Sequence, residues 1–155
     1  MEDLLTTINE IAKYGLNPDI DTEKDVFEKV KMLEKNLIKI YYKYFDIKYE
    51  FDKAEYPDYE GPVPLEVSKN INSNFIDFDS YKVFLDILDT NNYSDCAYGC
   101  ASDDLADIIR ELLEVKWRIE NNSLADGLWH FEFSFNCHIK HHMLDLLQFI
   151  KERYS

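Results

Sequence analysis

Apolar side chains recur at steps of three and four residues along most of this chain, and that period restricts it to helices packed by one face. The clearest run is Leu105, Ile108, Ile109, Leu112, Val115 and Ile119. It follows the 3.6-residue turn of an α-helix, so these side chains form one stripe that needs an apolar partner. Ser102 is the predicted cap of this helix, and Asn121, Asn122 and Ser123 end it. A longer stripe joins Val26, Val30, Leu33, Leu37, Ile40, Tyr41 and Tyr44, introduced by Thr22 and Asp25 in the manner of a capping box. Leu4, Leu5, Ile8, Ile11 and Ala12 make a short N-terminal helix closed by Gly15 and Pro18. A further helix is predicted over Phe75 to Leu88, with Tyr81, Phe84, Leu85 and Leu88 on one face, broken by TNNYSD. The last helix is predicted to bury Trp129, Phe133, Cys137, Leu144 and Leu147, flanked by Phe131, Phe135, His138 and Phe149.

From Ile47 to Pro64 the periodicity stops. Tyr49, Phe51, Tyr56 and Tyr59 stand among acids, and Pro57, Gly61, Pro62 and Pro64 forbid a long helix. The expected architecture is therefore all-α: a compact bundle of about five to six helices with one irregular aromatic loop, a single domain over residues 1–155.

Charge narrows the choice of partners. With 31 acidic against 17 basic residues the formal charge is −14, which repels nucleic acid and anionic membranes and attracts a basic protein or a cation. Cys96, Cys100 and Cys137 are too few for a disulfide scaffold and suit a reducing cytoplasm. The N-terminus has neither the basic start nor the unbroken apolar run of a signal peptide, and no stretch is apolar for long enough to span a membrane.

Two groups of residues carry possible chemistry. In DDLAD, the carboxylates of Asp103, Asp104 and Asp107 can share one helical turn, an arrangement that suits Mg²⁺; the same acids also suit a helix N-terminus, where free N–H groups favour negative charge. All four histidines fall between His130 and His142. His138 and His142, four residues apart, can converge on one transition metal such as zinc; Cys137 and His141 form a second such pair, which Cys96 and Cys100 could complete as a four-ligand set. The alternative is structural. His138 and His142 then lie at the edge of the buried stripe, where each imidazole needs a hydrogen-bond partner and no metal is involved.

The blocks SDDLADIIRELLEVKW (102–117) and LWHFEFSFNCHIKHHMLDLLQFI (128–150) resemble an uncharacterised bacterial family, domain of unknown function 5063. Its first motif falls on Asp103, Asp104, Leu105, Ala106, Asp107, Ile108, Arg110 and Leu112, and its HWGxHA-like motif on His138 and His142, with Ile139 and Lys140 in place of Trp-Gly. The resemblance implies an all-α cytoplasmic protein in which the two helices pack face to face around a polar centre, with Asp103, Asp107 or Glu111 accepting the hydrogen bonds of His138 and His142, and it implies no activity.

Two functions follow as expectations. The first is a non-enzymatic acidic domain that recognises a basic protein, immunity-like or regulatory, without a cofactor, through Tyr49, Phe51, Tyr56, Tyr59 and Glu60. The alternative is a hydrolase of a phosphorylated small molecule that depends on a divalent metal, Mg or Zn, held among Asp103, Asp104, Asp107, His138 and His142.

Overall fold

The computed structural model describes residues 2–91 and 96–154. Its helices are α1 (Glu2–Leu16), α2 (Val26–Asp46), α3 (Pro64–Asn74), α4 (Ala101–Asn121), α5 (Leu124–Ser134) and α6 (Lys140–Tyr154). A π-helical turn, Phe135–Ile139, joins α5 to α6 without a break, and one small hairpin pairs β1 (Ser80–Phe84) with β2 (Cys96–Cys100). The helical bundle stands as the sequence implies.

The stripes explain the packing. Leu105, Ile108, Ile109, Leu112 and Val115 of α4 are fully buried and meet α1, α3, α5 and α6, so α4 is the central helix. Val30, Leu33, Leu37 and Ile40 of α2 and Leu4, Ile8 and Ile11 of α1 complete the same core. The start of α2 is fixed by Asp25, whose carboxylate accepts from the Glu28 N–H at 2.8 Å. Asn74 ties α3 to the α1–α2 connection. Its side chain accepts from Ile20 N–H and donates to the carbonyls of Tyr14, Asn17 and Asn70, all within 3.0 Å.

Three expectations are corrected. No helix covers Phe75 to Leu88: α3 begins earlier, with Pro64 at its first turn, and the chain then enters β1. The period there is two rather than 3.6, since Tyr81 and Val83 point inward while Ser80, Lys82 and Phe84 are exposed. Of TNNYSD, Thr90 and Asn91 form a turn and 92–95 lie outside the described residues. Ser102 is not the cap of α4; that position is held by Cys100, and Ser102 is buried in the first turn.

The third correction concerns the last helix, whose buried stripe is Leu128, Phe131, Phe135, Ile139, Met143, Leu146 and Ile150. Phe133, Cys137 and Leu144 are exposed instead. In WHFEFSF the aromatic residues Trp129, Phe131, Phe133 and Phe135 alternate, so two stripes, offset by two residues and each stepping by four, compete. The winning one stacks Phe135 against Tyr44, with ring centres 4.3 Å apart, and sets it edge-on to Tyr41 and Phe131. At the π turn the Lys140 N–H reaches the Phe135 carbonyl, so one extra residue enters the helix and α6 is rotated relative to α5.

Candidate metal centre

That rotation aims His138, within the π turn, and His142, one turn on, at the polar edge of α4. There Asp104, Asp107, Glu111 and Glu114 recur at the spacing of one helix face. The His142 Nδ1 contacts the Asp104 carboxylate at 2.8 Å, and the His138 Nδ1 contacts Glu111 at 3.2 Å. The two Nε2 atoms face each other 3.0 Å apart, and the second carboxylate oxygen of Asp107 stands 3.6 Å from the Nε2 of His142.

Counting protons across this chain of contacts identifies its centre. Carboxylates accept, so each Nδ1 donates, to Asp104 and to Glu111. Both Nε2 atoms are then left with lone pairs pointing at each other, and one shared proton closes the gap. A cation of any other kind that fits there meets two prepared nitrogen donors. Among the described residues, Asp107, His138 and His142 are the one group whose ligand atoms could hold a metal ion, all lying within 4.8 Å of one another.

Behind the histidines the site is braced. Asp104 is buried and also accepts the Tyr81 hydroxyl of β1, which burial and this bond push far above the usual phenol range. Gly99 makes that reach possible: a Cβ there would stand 2.6 Å from the Tyr81 ring, which lies across β2. Asp104 holds the His142 imidazolium, raising its pKa above the ordinary histidine value against the opposing effect of burial. Asp145 is raised above the usual carboxylate range, chiefly by burial and further by the charge of Asp104. Farther along, His130 faces Glu114 and Glu111 at 3.6 and 3.8 Å, and burial lowers its pKa.

The structure therefore divides the candidate ligands. Asp107, His138 and His142 come together; Asp104 lies behind His142, and Asp103 is exposed in the first turn of α4. The thiol set is not assembled. Cys96 and Cys100 lie on the hairpin, Cys137 is exposed, and His141 pairs with Asp145 at 3.2 Å. Glu111, foreseen as an acceptor, does hold a histidine, but Asp104 rather than Asp103 takes the other. Tyr81 is the participant that sequence reasoning missed, because it was assigned to a helix face.

The aromatic loop follows the bundle surface. The Tyr56 hydroxyl donates to Asp52 at 2.6 Å, Asp52 accepts from Ser123, the cap of α5, and Tyr59 leans on Trp117. Phe51 meets Trp129 edge-on yet stays exposed, as do Tyr49 and Glu60. No family model, curated protein or solved structure matches the chain.

Proposed function

We propose that the protein binds a divalent first-row transition ion such as zinc through the Nε2 atoms of His138 and His142 and the carboxylate of Asp107. The observation that supports this reading is the convergence of the two Nε2 atoms while both Nδ1 atoms are held by carboxylates. Histidine ligands usually donate their other ring N–H to such a partner, which fixes the ring and strengthens the donor. Two nitrogens about 2.0–2.1 Å from one tetrahedral zinc stand about 3.3 Å apart, close to the separation here. Two imidazoles and one carboxylate suit zinc or iron(II) better than Mg²⁺, which prefers oxygen ligands throughout.

Three protein ligands leave a coordination position open, and the His138 side chain is 42% exposed. When bound, such an ion supplies Lewis acidity and lowers the pKa of water that reaches it. The surroundings do not favour a phosphorylated substrate: Asp103, Asp104, Asp107, Glu111 and Asp145 repel it, and the nearby Arg110 is engaged by Asp107 at 3.1 Å. A neutral or cationic ligand fits better. Three free cysteines, two of them exposed, support a reducing cytoplasm as the working compartment.

Metal-free protein titrated with zinc should bind one equivalent, and H138A, H142A and D107A should each weaken binding at least tenfold. Cobalt(II) should give a visible spectrum without the near-ultraviolet charge-transfer band of a thiolate ligand, and replacing all three cysteines by serine should leave it unchanged. Stoichiometric binding that survives the H138A/H142A double substitution would rule this site out.

A further inference from the structure

The hairpin carries exposed apolar side chains, Phe84 on β1 and Tyr98 on β2. Among the described residues the two-stranded sheet leaves each strand one edge without a strand partner. The register decides which groups occupy that edge on β1. Ala101 N–H donates to the Asp79 carbonyl at 3.1 Å, in phase with the pairs Tyr81–Gly99 and Val83–Ala97. In an antiparallel ladder bonded pairs alternate with unbonded ones, so the N–H and C=O groups of Ser80, Lys82 and Phe84 point away from β2.

Beside β1 runs a groove of about 440 Å³ between the strand and the last turns of α6, floored by Tyr81 and Phe149 and rimmed by Asp77, Asp79, Glu152 and Arg153. Arg153 is drawn to Asp77 at 3.7 Å. Beyond the groove the chain exposes Phe84 and Leu85, then Ile87 (81%) and Leu88 (84%), interleaved with Asp86 and Asp89. Residues 76–89 thus carry four aspartates against one lysine.

We infer that β1 is a docking edge for an extended segment of a basic protein, which adds as a third strand. Backbone bonds to Ser80, Lys82 and Phe84 supply the pairing, the apolar groove takes alternate side chains, and the aspartates select lysine or arginine between them. A second copy of this chain is the wrong occupant, because it would bring another 14 negative charges to an acidic edge. The edge shares no ligand with the metal centre, although Tyr81 both floors the groove and braces Asp104, and it places the expected basic partner at the hairpin rather than at the aromatic loop.

The probe is a fluorescein-labelled alternating Lys-Val octapeptide, followed by anisotropy and by amide chemical shifts. The Glu-Val octapeptide should bind at least tenfold more weakly, and so should a Lys-Val octapeptide N-methylated at alternate peptide bonds, which keeps its charge but loses its edge donors. Lys82→Pro should also weaken binding at least tenfold while leaving the circular dichroism unchanged, since its N–H serves no bond to β2. Shifts should cluster in residues 79–84 and 148–153. Equal binding of the N-methylated peptide would show diffuse attraction to an acidic protein and overturn the inference. So would shifts spread over the whole surface, or a dimer in sedimentation that Lys82→Pro dissociates.

Discussion

Replacing Asp104 by alanine tests the brace behind the histidines. The residue is 6% exposed, and its carboxylate accepts from two donors on different elements, the His142 N–H and the Tyr81 hydroxyl. Its removal leaves both without an acceptor, at about 1–3 kcal/mol each. Water can reach the partly exposed His142, so its share belongs at the low end, and the sum is about 3 kcal/mol. For a chain of this length that lowers the melting temperature by about 6–12 °C. Asp104→Asn keeps one acceptor oxygen for two donors and should lose about half as much. Urea denaturation of metal-free protein measures both. Combining Asp104→Ala with Tyr81→Phe supplies the coupling: if the hydroxyl spends its bond on Asp104, the double variant is less destabilised than the sum of the two by about 1 kcal/mol. A loss below 1 kcal/mol for Asp104→Ala, or strict additivity with Tyr81→Phe, would refute the reasoning.

Gly127→Ala should prevent the close approach of α5 to α4, because its Cβ would stand 2.3 Å from Ile119 Cγ1 and 2.8 Å from the Ile119 backbone nitrogen; a melting temperature equal to wild type would contradict this. Asn74→Ala removes the partner of Ile20 N–H and three carbonyl contacts and should cost about 2–4 kcal/mol in urea denaturation. In metal-free protein, histidine NMR should find His130 titrating below 6.5 and His142 above it. The two act on stability in opposite senses. His142 contributes fully below pH 6.5 and its contribution fades as pH rises through its raised pKa, whereas neutral His130 contributes fully above pH 6.5 and loses its contribution as pH falls through its lowered one. Zinc affinity should rise over the range in which His142 loses its proton, because a protonated imidazole cannot ligate, so calorimetry at pH 6 and pH 8 should show the tighter binding at pH 8.

The helices were legible because burial left the largest imprint on the sequence. The α4 stripe is fully buried from Leu105 to Val115 and holds no competing pattern, and α2 is read equally well from Val30 to Ile40. The last helix failed for a specific reason. With Trp129, Phe131, Phe133 and Phe135 alternating, sequence offers two faces, and the choice depends on Tyr41 and Tyr44 of α2, about 90 residues away. Continuity would have discriminated: Phe131, Phe135, Ile139, Met143 and Leu146 are all large and apolar, whereas the rejected stripe runs through Cys137 and His141. The hairpin failed because five-residue strands leave too short a pattern, and the spacing of Tyr81, Phe84, Leu85 and Leu88 mimics a helix. Pairing of histidines with α4 acids could be anticipated from the cost of burying an imidazole together with the resemblance that set the two blocks face to face. Which nitrogen met which carboxylate could not, because the π turn sets the rotation and leaves no simple signature in FNCHI.

Charge is what favours the proposed metal centre over a merely structural seam. Four carboxylates, Asp104, Asp107, Glu111 and Asp145, crowd the two imidazoles, and against them stand only one shared proton and the Arg110 guanidinium on Asp107, so the group stays negative. A seam selected only to fix helix register would gain more from neutral partners, since partly buried like charges repel and each costs desolvation. The raised pKa of Asp145 is a local sign of that cost. Replacing the shared proton by a dication would cancel one further negative charge and give both Nε2 lone pairs a ligand. The same acids that favour the proton on His142 favour a dication still more, and they hold the rings so that binding would require little rearrangement. The π turn belongs to the same logic, because it costs helical regularity and returns the placement of His138 against Glu111.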